Sequence, residues 1–118
     1  MVLIHGGQPG MASSAEIWFL NIDELAKKYH VYALDKLGQG YTDNPKVNED
    51  YTMGAQVKHA VGFMNKLNIS NAHLLGHSRG GYMTVSYKHL RAHATLRYRV
   101  CSLLLAKKRG GGCGWGGG

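Results

Sequence analysis

One serine in the sequence stands in a pattern that suits nucleophilic catalysis. Ser78 is the centre of the run Gly76-His77-Ser78-Arg79-Gly80, which matches G-x-S-x-G, a motif that turns sharply from a strand into a helix. In such a turn the backbone of the serine is strained, and side chains two residues away would collide with neighbouring elements. The pattern predicts an exposed serine nucleophile, with an ordinary Gly-Ser turn as the alternative interpretation.

A glycine-rich loop near the start of the chain suits the same chemistry. The run His5-Gly6-Gly7 follows an apolar stretch at residues 1–4, which is typical of a buried strand that ends in a turn. Its backbone N–H groups are not obstructed by side chains, and an oxyanion needs such donors. We therefore expect this run to form a substrate loop, in which Gly7 N–H and Arg79 N–H face one oxyanion.

The elements that must position these loops alternate between strands and helices. The hydrophobic pattern predicts strands at residues 1–4, 31–34 and 72–75. It predicts helices at about 16–28, after Thr52 and from Tyr82 onward. Because parallel strands need long crossovers, this order predicts an α/β fold with a parallel sheet and helices on both faces. If the first strand lies between the other two, the two loops meet where ligands bind in such sheets.

The predicted helices have apolar sides that a sheet would cover. In the first helix, Ser13 or Ser14 is the expected cap, and the residues expected on one side are Ile17, Leu20 and Leu25. In the second helix, Thr52 is the expected N-cap, and one face carries Met53, Val57, Ala60, Val61, Met64 and Leu67. The second helix is the clearest in the sequence.

Three motifs together resemble the α/β-hydrolase superfamily. They are Leu3-Ile4-His5-Gly6-Gly7, Asp35-x-x-Gly38-x-Gly40 and Gly76-His77-Ser78-Arg79-Gly80-Gly81, and the resemblance covers residues 1 to about 84. It implies a partial α/β-hydrolase fold with Ser78 as nucleophile and the backbone of Gly7 and Arg79 as oxyanion hole. The family's acid and histidine follow the serine in the chain, and nothing after Ser78 has the pattern to contain them. We therefore expect a fragment that lacks sequence at both ends and is a poor catalyst by itself.

The loop at residues 5–10, His-Gly-Gly-x-Pro-Gly, resembles more narrowly the hydrolases that cleave carbon–carbon bonds in ring-fission (meta-cleavage) products. His77 and Arg79 differ from the residues usual beside the nucleophile in that group. Cleavage of an ester, a lactone or a peptide therefore stays open. In each case the expected partner is a small-molecule substrate. A non-catalytic interaction protein that keeps the hydrolase scaffold is the alternative.

No pattern predicts a metal or a cofactor. The run at residues 38–40 begins like a dinucleotide-binding G-x-G-x-x-G loop, but Asp43 replaces the third glycine. Three histidines lack the spacing of metal ligands: His30, His59 and His73. His77 adjoins Ser78, yet adjacent residues on a sharp turn point apart. We therefore expect His77, with Gly76 and Gly80, to form the turn around the nucleophile (the nucleophile elbow) and not to be the general base.

The composition is typical of a globular protein. Hydrophobic residues make up 44% of the 118 residues, which is compatible with a packed core. No apolar run approaches the roughly 18 residues that a membrane helix needs, and no charged leader precedes an apolar stretch as in a signal peptide. We expect a cytoplasmic protein without a membrane partner.

The net charge of +7 is confined to the end of the chain. Residues 1–84 contain all seven acidic residues and as many lysines and arginines, whereas residues 85–118 contain seven basic residues, both cysteines and a closing glycine-rich run. We expect residues 85–118 to be a non-native or disordered tail beside the partial hydrolase domain at 1–84.

Residues 85–95 and 100–108 resemble translations of the adapters used in short-read sequencing libraries, and the glycines resemble translated runs of G. The alternative is a native basic arm that binds nucleic acid. The basic residues follow no groove-reading module, so we expect no nucleic-acid partner.

Overall fold

In the part of the chain that the structure describes, four parallel strands form a sheet. The computed structural model describes residues 1–7, 13–92 and 102–104. The strands are β1 (Val2–Ile4), β2 (Tyr32–Leu34), β3 (Leu74–Gly76) and β4 (Ser102–Leu104), in the order β2-β1-β3-β4. In register, Ile4 is paired with Leu34 on one side and with Gly76 on the other. The predicted α/β class is confirmed, and β1 lies between β2 and β3.

Helices cover both faces of the sheet, as predicted. They are α1 (Phe19–Ala26), α2 (Met53–Lys66) and α3 (Arg79–Ala92), and 3-10 turns at Ala15–Trp18 and Asn48–Tyr51 precede α1 and α2. Alternate residues of a strand point to opposite faces. Val2, Ile4 and Leu74 therefore join the core with α2 and α3, whose buried residues are Val57, Ala60, Met64, Met83 and Tyr87. On the other face, Leu3 and Leu75 pack with Trp18.

The apolar side of the first helix differs from the prediction. Trp18 is buried in a cluster with strand residues. Ile22 and the predicted Leu25 pack against this cluster, whereas Ile17 and Leu20 are 41% and 75% exposed. The helix begins with a 3-10 turn, where Ser14 Oγ accepts a hydrogen bond from Glu16 N–H (3.3 Å). A 3-10 turn has three residues per turn instead of 3.6, so it shifts which residues face the sheet.

The second helix follows its prediction closely. Thr52 Oγ1 accepts a hydrogen bond from Ala55 N–H at 3.2 Å and so caps the helix. Val57, Ala60 and Met64 are buried against the sheet. Leu67, which was expected on the same face, is 45% exposed because it lies past the last helical residue as the C-cap.

Helix α3 begins at Arg79, three residues before the predicted start, because the chain enters it directly from the turn after β3. It continues past residue 84 to Ala92, and Tyr87 is 2% exposed in the core. Strand β4, also within the predicted tail, pairs with β3. The rest of that tail, with both cysteines, and residues 8–12 of the first glycine-rich loop lie outside the described residues.

Candidate active site

Ser78 lies at the turn between β3 and α3 with a backbone conformation that L-residues rarely adopt. Its φ is +53°, in the left-handed region, and its side chain is exposed. This conformation costs a non-glycine residue about 1–2 kcal/mol. The turn is held by hydrogen bonds from Gly80 N–H to His77 O and from Gly81 N–H to Ser78 O, each 2.9 Å. Such a turn presents the serine oxygen to solvent at the carboxyl edge of the sheet.

The two glycines that flank the turn are required by close packing. A Cβ on Gly76 would overlap the carbonyl of Gly80, and a Cβ on Gly80 would overlap the carbonyl of Ile4. Both glycines are buried. The start of α3 therefore lies directly against β1 and β3, and a side chain at either position would push the turn away from the sheet.

The first glycine-rich loop and the serine turn are in direct contact. His77 N–H donates to Ile4 O at 3.0 Å, which continues the pairing of β1 with β3 past the strand end. A Cβ on Gly6 would lie 2.9 Å from His77 Nδ1 and 3.0 Å from the Ser78 Cβ. The structure thus brings together the two loops that the sequence separates by about 70 residues.

Gly7 ends this loop within the described residues, and its conformation is also left-handed (φ +76°). A Cβ here would lie 2.6 Å from the Ser13 Cβ. Arg79, the other residue of the predicted oxyanion hole, is the first residue of α3. The first N–H groups of a helix point out of its amino end, where the helix dipole favours negative charge.

The imidazole of His5 is fully buried (0% exposed) and belongs to the protein interior. Its Nε2 accepts a hydrogen bond from Lys36 N–H (3.1 Å), so the proton is on Nδ1, which contacts Gly6 O (2.7 Å) and Ser13 Oγ (3.1 Å). Burial lowers the pKa of His5, which keeps the ring neutral. His5 therefore acts on its neighbours through directed hydrogen bonds at both ring nitrogens.

Lys36 is a component of the site that the sequence analysis missed. It directly follows Asp35 after β2, and its side chain is buried (3% exposed). The ammonium Nζ donates to the carbonyl of Gly7 at 2.6 Å. Burial, together with the nearby positive charge of Arg79, lowers the pKa of Lys36 to about 8. The sequence did offer one indication of this role, because Lys36 follows a predicted strand and so lies at the carboxyl edge of the sheet.

Asp35, in the second motif, ties together the loops around the site. Its carboxylate accepts hydrogen bonds from the backbone N–H groups of Ala15 (2.6 Å) and Tyr41 (3.0 Å). The carboxylate leaves no room for a side chain at Gly40, where an added Cβ would overlap it. Asp35 Oδ1 is 3.8 Å from His5 Nε2, but the neutral ring makes this a contact and not an ion pair.

Among the clefts formed by the described residues, two lie at opposite ends of the strands. One, of about 820 Å³, lies at the carboxyl edge and includes Ser13, Ile17, Phe19 and Tyr41 in its lining. The other, of about 1030 Å³, is lined by residues near the amino ends of the strands, such as Met1 and His73. Ligands of parallel α/β sheets bind at the carboxyl edge, so the cleft beside Ser13 is the candidate for binding, although Ser78 is not among its lining residues.

The described ranges hold no group of three or more possible metal-ligating side chains. In the same ranges, no helix is long and apolar enough to cross a bilayer.

Comparisons with known proteins agree with this geometry. The sequence matches the family described as alpha/beta hydrolase fold over residues 1–90. It is 42% identical over 81 residues to 2-hydroxymuconate semialdehyde hydrolase of Pseudomonas sp. (strain CF600), covering 69% of this chain and 28% of that protein. It is 33% identical over 94 residues to 1-acylglycerol-3-phosphate O-acyltransferase of Arabidopsis thaliana, covering 74% of this chain and 21% of that protein.

A solved structure shows the same fold. The meta-cleavage product hydrolase of Pseudomonas fluorescens IP01 superposes with a TM-score of 0.69 at 36% identity, over 84% of this chain and 35% of that one. The chain therefore spans roughly a third or less of the proteins it is compared with. The left-handed serine turn, the adjoining glycine loop and the match over residues 1–90 show that this chain belongs to the α/β-hydrolase fold family.

Proposed function

We propose that Ser78 is the nucleophile of a hydrolase that attacks a carbonyl group in a small molecule. The observation that carries this proposal is the left-handed backbone of Ser78 at the carboxyl edge of a parallel sheet, directly against Gly6. A strained, exposed serine between a strand and a helix is the arrangement that α/β-hydrolases use. Residues with strained backbone conformations cluster at active sites, which supports a catalytic role for Ser78.

In this proposal the backbone N–H groups of Gly7 and Arg79 bind the oxyanion. Attack by Ser78 Oγ on the carbonyl carbon places a negative charge on the carbonyl oxygen. Donors that are already in place stabilise that charge, and the amino end of α3 adds its dipole. Collapse of the intermediate expels the leaving group and leaves an acyl-enzyme, which water hydrolyses.

The nucleophile needs a base. We propose that this chain is part of a longer parent protein and that the remainder of that protein provides the base. Serine at its free pKa is a weak nucleophile, and a histidine held by an acid removes its proton in this family of mechanisms. The chain spans 28% of the 2-hydroxymuconate semialdehyde hydrolase to which it is similar, which supports a larger parent protein. By itself, the chain is then a poor catalyst.

The substrate is an ester-like compound or one with a cleavable carbon–carbon bond next to a carbonyl. Similarity to two hydrolases of ring-fission products favours the carbon–carbon bond. The cleft at the carboxyl edge is next to the first glycine-rich loop, because its lining residue Ser13 lies against Gly7. Two aromatic residues of its lining, Phe19 and Tyr41, are 69% and 90% exposed. An apolar portion of the substrate would contact these rings.

Acyl transfer is the second candidate, because the Arabidopsis relative is an acyltransferase. The proposed acyl-enzyme serves both reactions, which differ only in whether water or an alcohol accepts the acyl group. Product analysis with an activated acyl ester as donor and 1-acylglycerol-3-phosphate as acceptor distinguishes them, since both release the alcohol of the ester, but transfer produces the diacyl compound and hydrolysis produces the free acid of the donor.

Covalent capture tests the nucleophile. The protein encoded by the complete reading frame is treated with an activated fluorophosphonate, and the modified peptide is sequenced by mass spectrometry. We expect the phosphonyl group on Ser78, none in Ser78→Ala, and unchanged labelling in Ser70→Ala, which changes an exposed serine in the segment before β3. Labelling of another serine would contradict the proposal.

A further inference from the structure

Lys36 is connected to the first glycine-rich loop through both its side chain and its backbone. Its Nζ donates to Gly7 O at 2.6 Å, and its N–H donates to His5 Nε2 at 3.1 Å. The side chain is only 3% exposed, so water competes little for the ammonium. A charged donor in such surroundings makes a stronger hydrogen bond than a neutral one.

The second connection reaches the peptide bond that contains Gly7 N–H. Because His5 Nε2 accepts from Lys36, the ring proton is on Nδ1, and Nδ1 donates to Gly6 O at 2.7 Å. Gly6 C=O and Gly7 N–H belong to one planar trans peptide, so they point in opposite directions and turn together. The peptide on the other side of Gly7 is held by Lys36 Nζ. Both peptide planes around Gly7 are therefore fixed.

We propose that Lys36 is a positioning residue that directs Gly7 N–H toward the reacting carbonyl oxygen. The inference rests on the proposed function, in which Gly7 N–H is an oxyanion donor. Glycine has little conformational preference of its own, and Gly7 adopts φ +76°. An oxyanion donor contributes most when it is held in place before the reaction. Lys36 supplies that restraint directly through Nζ and indirectly through His5.

The charged and titratable groups around Lys36 make the contact measurable. Arg79 and His5 are close enough to interact with the Lys36 charge, and Asp35, which precedes Lys36 in the chain, interacts with His5. The pKa of Lys36 is about 8, whereas that of His5 lies below its usual 6.5. Between pH 7 and 9 Lys36 therefore changes charge while His5 remains neutral. The neutral amine is the weaker donor to Gly7 O.

Nuclear magnetic resonance of the 118-residue chain tests the contact. We expect the Gly7 carbonyl ¹³C shift and the Lys36 Cε shift to titrate together with a midpoint near pH 8. Lys36→Met should abolish the Gly7 titration, whereas Lys58→Met, which changes an exposed lysine on α2, should leave it intact. A Gly7 carbonyl shift that stays constant with pH while Lys36 titrates would overturn the inference. This measurement is made on the unsubstituted chain, so it does not depend on the folding of a variant.

Kinetics of the enzyme from the complete reading frame test the positioning role. Lys36→Met should lower kcat at least about tenfold with little change in KM, less than the roughly 10²–10³ lost with a whole oxyanion donor. Lys36→Arg keeps a charged donor and should restore part of the loss. An unchanged kcat in Lys36→Met would overturn the role of Lys36. Full activity in Ser78→Ala would instead overturn the proposed function, whatever the carbonyl titration shows.

Discussion

Gly6 lies directly against Ser78: a Cβ built on Gly6 would be 3.0 Å from the Ser78 Cβ. The contact joins the loop after β1 to the turn after β3, because these strands are neighbours in the sheet. Ser78 and the backbone of the first loop therefore border the same space at the carboxyl edge.

The left-handed backbone of Ser78 should reverse the usual effect of glycine on stability. Ser78→Gly relieves a strain that Ser78→Ala retains, so we expect the glycine variant to be more stable by about 1 kcal/mol. At Ser86, inside α3, glycine should instead be less stable than alanine by about 1 kcal/mol. Urea unfolding of the four variants measures both differences. The same sign at both positions would contradict the turn geometry.

The two glycines that flank the turn should not tolerate a methyl group. Gly76→Ala and Gly80→Ala place a Cβ on backbone carbonyls that cannot move aside, and we expect a loss of about 1–3 kcal/mol for each. Gly62, exposed in α2, has no atom within 4 Å of its added Cβ, so Gly62→Ala should stabilise by about 0.5–1 kcal/mol. Thermal unfolding that shows equal effects at the three positions would argue against the close approach of α3 to the sheet.

Much of this arrangement follows from local sequence. The parallel sheet and the turn at Ser78 were predictable because parallel strands require crossovers and G-x-S-x-G restricts the backbone, whereas the central place of β1 entered the sequence analysis only as a condition. The buried side of the first helix was not, because a 3-10 turn changes its phase. The role of Lys36 was also hidden, since the two groups to which it donates, His5 Nε2 and Gly7 O, lie about 30 residues away in the chain.

Protein stability should rise between about pH 8 and 10.5 because of Lys36. The folded state lowers the pKa of this lysine to about 8 from 10.5, so in that window the unfolded chain binds the extra proton. The slope for one proton is at most about 1.4 kcal/mol per pH unit. The destabilisation caused by burying the charged ammonium is fully present below pH 8. Denaturant unfolding across this range should show the slope reduced in Lys36→Met and retained in Lys58→Met.

The prediction that residues 85–118 are non-native can be tested by sequencing DNA. If it derives from adapters, a long read of the source genome should diverge from this sequence near Thr84 or Val85. A read that contains the whole segment would favour a native basic arm. Nucleic-acid binding should then weaken steeply as salt rises.

The role of Ser78 is tested most directly by comparing two neighbouring substitutions in the enzyme from the complete reading frame. On an activated ester, Ser78→Ala should lower kcat by a factor on the order of 10⁶. Arg79→Ala should cost less than the roughly 10²–10³ lost with an oxyanion donor, because the proposed contact uses the backbone N–H, which the substitution keeps. A loss below tenfold in Ser78→Ala would remove Ser78 from the reaction.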